Sequence, residues 1–308
     1  MKKTGAIIGL VLSVISLIVL CSLFTALMAL DSIKDISFGI MSVKYNNAED
    51  YSVGSAEIGS NIKSLDIEWI SDSVTVEIYT GDTVQISESS ESILDEEDQL
   101  RYRVKNGKLT IKPCKPMWFI GINNIPKKTL KVLVPVNMAD GFDSIVISTT
   151  SADIDISAFT AKEFDLETVS GNITAQRLKG DDISTETVSG NVKINAEAVD
   201  LSYENVNGKL EFTGTLDRFD CETVNGSIRM TFENTPSEID CELVNGDIVI
   251  YLPDDAEFGG KYEMVNGDFI CEFTGKVSKG SFDCGRSYGY DFEAVNGDVE
   301  IRRNNSSY

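Results

Sequence analysis

Seven glutamates recur at one position of a repeated motif: Glu167, Glu186, Glu204, Glu222, Glu242, Glu263 and Glu293. A column of carboxylates can hold divalent cations, Ca²⁺ above all because it takes oxygen ligands, or it can face a basic partner. The plainer alternative is that each Glu caps corner amides and is screened by salt. Asp165, Asp220, Asp240 and Asp291 lie two positions earlier in their copies and thicken the acidic stripe. Composition excludes most other chemistry. The 308 residues contain no His, which removes Ser-His-Asp and Cys-His nucleophilic catalysis and the commonest zinc ligand. With 49 Asp and Glu, a carboxylate pair for sugar hydrolysis could be drawn anywhere and carries no signal. A net charge of −22 argues against nucleic acid as a partner, since phosphate contacts need a basic footprint. These observations lead us to expect a protein that is not an enzyme, with no catalytic residues and no cofactor other than Ca²⁺ as a candidate. A polysaccharide lyase or hydrolase on a β-helix is the alternative from another class, but the repeat faces lack a distinctive Arg/Lys cluster.

The six Cys show no Cys-x-x-Cys spacing. Cys221 and Cys241 share one column of the repeat, where buried thiols are expected and a disulfide is the alternative. Cys271 and Cys284 could likewise clasp a long final insertion. Asn-Gly-Asp at Asn245, Asn266 and Asn296 invites comparison with Ca²⁺-binding nonapeptide rolls, but those repeat every nine residues and this motif every 18–30.

The repeat defines the elements that must carry these groups. Phe164-Asp165-Leu166-Glu167-Thr168-Val169-Ser170-Gly171-Asn172-Ile173 returns six more times, with corners at Gly171, Gly190, Gly208, Gly226, Gly246, Gly267 and Gly297. The Gly-to-Gly steps are 19, 18, 18, 20, 21 and 30. Units this short cannot bury an apolar face alone, so each must cover the next. Helix periodicity is absent after Leu30, and Val, Ile, Thr, Phe and Tyr favour strands. The expected fold is all-β, a parallel β-solenoid whose Gly corners allow close stacking and whose Asn side chains form a ladder. Reading each Asn-Gly as a type I′ turn gives the alternative, an antiparallel β meander.

Leu166 and Ile173 should both face inward, yet they are an odd number of positions apart. The alternation must slip, at Glu167-Thr168 or at the Gly, and the orientation of the Val169 column depends on which. Earlier, Val76–Tyr79, Thr83–Ile86, Tyr102–Val104, Lys108–Ile111 and Leu130–Pro135 alternate like strands, with turns at Gly81-Asp82 and Asn106-Gly107. The apolar cluster around Trp118 and Phe119 is either a hydrophobic cap or a surface for a partner or membrane.

Residues 5–30 are uncharged and dominated by Leu, Ile, Val and Ala, long enough to cross a bilayer. Lys2 and Lys3 precede this run and acidic residues follow it, so the bulk of the chain is expected outside the cell membrane. The expected organisation is a cytoplasmic N-terminus at 1–4, a single-pass transmembrane signal anchor at 5–30, a membrane-proximal linker at 31–60, a β-strand-repeat domain at 61–303 and a tail at 304–308.

The N-terminal span, the strand ending Val134-Pro135 and the repeated Val-Ser/Asn-Gly-x-Ile corners resemble the bacterial membrane-anchored β-strand-repeat family labelled "putative adhesin", a domain of unknown function. The resemblance covers residues 60–303. It implies a solenoid-like extracytoplasmic domain and brings no catalytic residues with it. The expected role is an adhesin-like binding or structural component of the cell envelope, attached to the membrane through its N-terminal helix and meeting an envelope protein or glycan. An accessory sensor of an envelope signalling system is the alternative.

Overall fold

The computed structural model describes residues 40–59, 61–120 and 126–304. The expected span at 5–30 lies outside them, and among the described residues no helix is long and apolar enough to cross a membrane. The chain divides into two compact units at Lys179/Gly180, with the strand Ile173–Ser189 running through the division.

In the first unit the long strand Ser64–Tyr79 is the organising element. It pairs in parallel with Asp140–Ser157, so Leu65 stacks on Ile145, Ile67 on Ile147 and Val74 on Ile154. Its other edge takes Lys108–Lys112 and then Lys128–Pro135, also in parallel. All the apolar residues named in these pairs are essentially inaccessible. Burial of this kind stabilises by about 1.5–3 kcal/mol per large aliphatic side chain. Antiparallel pieces flank this stack. Arg101–Lys105 and Lys108–Lys112 form a hairpin, and Val84–Ser90 pairs with Lys128–Pro135. Residues read as linker supply Ile40–Val43, Ser52–Val53 and Ala56–Ile58, each paired antiparallel to this unit.

The second unit is a stack of parallel rungs. Val192–Thr215 lies against Arg218–Phe232, which lies against Glu238–Asn245 and Ile248–Leu252. Two kinds of Asn-Gly separate the solenoid from the meander. Asn106 and Gly107 have φ of 54° and 78° and make a true hairpin turn. Gly246, Gly267 and Gly297 have φ near 140° and are corners between parallel rungs. Stacking requires the glycine there: a Cβ on Gly246 would stand 1.7 Å from the Gly226 carbonyl oxygen. The fold is therefore all-β and solenoid-like, with antiparallel pairs flanking the stack of the first unit and, in the second, a late hairpin of Lys276–Ser278 with Ser281–Asn296.

The slip in alternation falls at the Ser/Asn-Gly corner. Phe164, Leu166 and Thr168 are all buried, Val169 is half-buried and Ser170 is exposed before Ile173 turns inward again. The Val column therefore faces outward. The inward position is taken by Thr149 and Thr168 in the first unit and by Thr187, Asn205 and Thr223 in the second, each buried. Thr149 Oγ1 lies 2.9 Å from both the Ala152 carbonyl and Thr168 Oγ1, which satisfies an upper corner from inside.

The order of the last rungs departs from sequence order. Glu238–Asn245 pairs with Ser281–Asn296, and Ser281–Asn296 pairs in turn with Phe258–Asn266. The final motif copy therefore lies between the two that precede it. On the adjoining face Ile248–Leu252 pairs with Val299–Arg303, which pairs with Phe269–Cys271.

Candidate functional site

Strand alternation fixes where the carboxylates stand. In each rung the Glu lies between two inward positions, so its side chain emerges on the outer face beside the wall of the stack. Parallel register aligns Glu204 with Glu222, Glu222 with Glu242, Glu242 with Glu293 and Glu293 with Glu263. A second row runs beside it, Asp220 to Asp240 to Asp291, and ends at Lys261. Glu186 is half-buried on its own strand, while Glu167, in the first unit, faces Ser148 across its ladder. The register thus places Glu204, Glu222, Glu242, Glu293 and Glu263 in one unbroken row.

The row is electrostatically strained. Rungs about 4.8 Å apart place like charges at a separation that costs about 0.9 kcal/mol per pair even in water. Partial burial adds to this. Glu242 is pushed up to about 7, first by burial and then by Glu293, Glu222, Asp240 and Asp220. Burial first, and then a neighbouring carboxylate, also raises Glu222 (Glu204), Glu293 (Asp291), Asp220 (Glu238) and Asp240 (Asp220). One carboxylate oxygen on each of Glu222 and Glu242 is buried without a hydrogen-bond partner. At the end of the Asp row a cavity of about 360 Å³ is lined by Glu238, Asp240, Asp291, Lys261 and Arg286. Among the described residues no group of three or more acidic or Cys side chains is arranged to enclose a metal ion. The geometry is a ladder, suited to an extended cationic surface.

The corner residues form a second ladder. Asn225 Nδ2 donates to Asn207 Oδ1 at 3.1 Å and Asn245 Nδ2 to Asn225 Oδ1 at 2.8 Å. Asn296 continues it to Asn245 and Asn266 to Asn296, each at 2.8 Å. Beside them Asp298 N donates to the Asp247 carboxylate and Asp268 N to the Asp298 carboxylate. These bonds hold the corners through the Asn and Asp of the Asn-Gly-Asp motif.

All five described cysteines are free thiols. Cys221 and Cys241 are stacked in register within the core, where burial raises the Cys221 thiol well above its ordinary range. Cys271 and Cys284 approach to 3.7 Å between sulfurs, and burial together with Cys271 pushes Cys284 up to about 12. Met117–Ile120, which carries Trp118 and Phe119, pairs with Ile40–Val43; the two side chains lie outside the described residues.

One concave surface was not anticipated. In the first unit Tyr45, Tyr51, Arg103, Lys108 and Lys112 line a cavity of about 650 Å³. Its sequence signal is Arg101-Tyr-Arg-Val-Lys-Asn-Gly-Lys-Leu-Thr-Ile-Lys112, five basic residues in twelve and no acidic one, in a strongly acidic chain.

Parallel rungs with fixed Glu, Asn and Gly columns define a solenoid-like repeat protein. The chain belongs to the Toastrack DUF4097 family, whose model matches residues 62–305. No curated protein matches the sequence. Among solved structures, a "putative adhesin" from Parabacteroides distasonis is 14% identical with a TM-score of 0.45, over 82% of this chain and 98% of its own. A "putative adhesin" from Bacteroides fragilis is 12% identical with a TM-score of 0.42, over 82% of this chain and 97% of its own. A "putative lipid binding protein" from Parabacteroides distasonis is 14% identical with a TM-score of 0.41, over 84% of this chain and 97% of its own.

Proposed function

We propose that this chain is a membrane-anchored, extracytoplasmic binding protein of the adhesin type, which presents its carboxylate row to a cationic partner in the cell envelope. The observation that carries the reading is the register Glu204, Glu222, Glu242, Glu293, Glu263 on the outer face. Repulsion along that row and the partly desolvated oxygens of Glu222 and Glu242 are relieved when positive groups approach, which favours binding over an unoccupied face. The apolar run 5–30 and the lysines before it support attachment to the membrane with the repeats outside. Binding rather than catalysis is supported by the missing His and by a site that is a repeated surface rather than a convergent constellation.

The test is capture in cells. A photo-crosslinker at Val224, on the outward face beside the row, is expected to trap a partner of basic surface. A variant carrying Gln at positions 204, 222, 242, 263 and 293 is expected to lose most of that product. Undiminished capture by a folded variant of this kind overturns the reading.

A further inference from the structure

We infer that the cavity of about 650 Å³ in the first unit binds an oxyanion, a phosphate or carboxylate group carried on a small organic body. This goes beyond the carboxylate row, from which it differs in charge and in chemistry. A volume of this size lies within the range of small-molecule sites.

Arg103 is the central residue. Its guanidinium lies over the Tyr51 ring at 4.6 Å, which fixes the plane of the fork. Its Nε is buried and has no hydrogen-bond partner. Among the described residues its one ion pair is with Asp50 at 3.7 Å, beyond hydrogen-bonding distance. A buried cationic N–H without an acceptor is costly, and a planar fork matches the paired oxygens of phosphate or carboxylate. Lys108 stands opposite, 2.6 Å from Asp66 and half exposed, so it keeps donors for a second acceptor. Lys112 pairs with Glu68 and lies 5.9 Å from the Tyr45 ring.

The surroundings hold these groups in place. The Tyr45 hydroxyl donates to the Cys114 carbonyl at 3.0 Å, and the Tyr45 and Tyr51 rings lie 4.8 Å apart. Since Arg103 sits over one ring and Lys112 over the other, the rings back the cations and do not serve as a stacking platform for sugars. In a chain of net charge −22 the basic run 101–112 focuses an anion here.

The full chain in phosphatidylcholine nanodiscs is titrated with inorganic phosphate or acetate and followed by its melting temperature and by calorimetry. A second set of nanodiscs contains phosphatidylglycerol, so that a lipid headgroup is distinguished from a free anion. Binding of either anion, or a rise in melting temperature with phosphatidylglycerol, is expected. Arg103→Lys, which keeps the charge and loses the fork, is expected to weaken it about tenfold or more. Lys108→Met reports on the same cavity should Arg103 variants fail to fold, and Lys193→Ala, in the other unit, is expected to leave binding unchanged. Absence of binding by every probe at millimolar concentration overturns the proposal. So does binding that Arg103→Lys, Lys108→Met and Lys193→Ala leave equally intact.

Discussion

Asn296 donates its side-chain amide to Asn245 at 2.8 Å, although Asn266 comes between them in the sequence. The chain leaves Asn245, passes over the neighbouring rung, lays down Phe258–Asn266 one step further out, and returns with Ser281–Asn296 to fill the gap. Asn266 then has one rung neighbour through this ladder and Asn296 has two.

That order is testable by mutation. Each exposed side-chain bond contributes about 0.5–1.5 kcal/mol at most. Asn296→Ala is expected to cost more in urea unfolding than Asn266→Ala. A double-mutant cycle should show coupling between Asn245 and Asn296 and none between Asn245 and Asn266. The reverse pattern would mean that the rungs follow sequence order.

Gly246 has φ of 138° and no room for a side chain. Gly246→Ala is expected to lose about 2 kcal/mol or more, because both the backbone conformation and the Gly226 carbonyl oppose a Cβ. Gly59, where an added Cβ would meet nothing within 4 Å, provides the control. Gly59→Ala should stay within about 0.5 kcal/mol of the parent. Equal melting curves for both variants would refute the close stacking.

The Glu242 carboxyl titrates near 4.5 when unfolded and near 7 when folded. Between those values the native chain binds more protons, so the stability this group confers is complete below about 4.5 and fades as pH rises through about 7. Glu242→Gln should therefore raise the melting temperature at pH 8 and change it little at pH 4. A lower melting temperature at pH 8 would show that Glu242 is held by a favourable contact and not by repulsion.

Thr168 and Thr223 occupy equivalent inward positions with different partners. Thr168 Oγ1 lies 2.9 Å from Thr149 Oγ1, whereas Thr223 Oγ1 is buried with no partner. Thr→Val keeps the shape and removes the hydroxyl. At 168 it should cost about 1 kcal/mol, and at 223 it should be neutral or stabilising. Chemical denaturation of the two variants decides the matter.

Much of this architecture was legible from spacing. The Glu, Asn and Gly columns recur at fixed offsets, and a parallel stack is what aligns them. Thr168 and its equivalents were harder to place, because the spacing left open whether the alternation slips at Glu167-Thr168 or at the Gly, and the structure turns Thr168 inward to serve the corner. The exchange of the last rungs was not legible, since Tyr262 and Phe292, Glu263 and Glu293, and Met264 and Ala294 occupy the same columns. Packing distinguishes them. Ala294 is small enough for an interior rung and is fully buried, while Met264 and Phe269 remain partly exposed on the last one. The basic hairpin at 101–112 was visible in composition, but its meaning depended on Tyr51 and Asp66, which only the fold brings alongside it.

The ladder of corner amides points one way along the second unit, each donor aimed at the acceptor of the preceding rung. Its last member, Asn266, ends the ladder, and Glu263 and Asp268 add carboxylates on the same margin, beyond the stretch Phe258–Lys261 whose outer edge Ser281–Cys284 covers. Two such margins would meet acceptor against acceptor and charge against like charge. Polarity built into the repeat thus disfavours edge-to-edge pairing of two copies at this border.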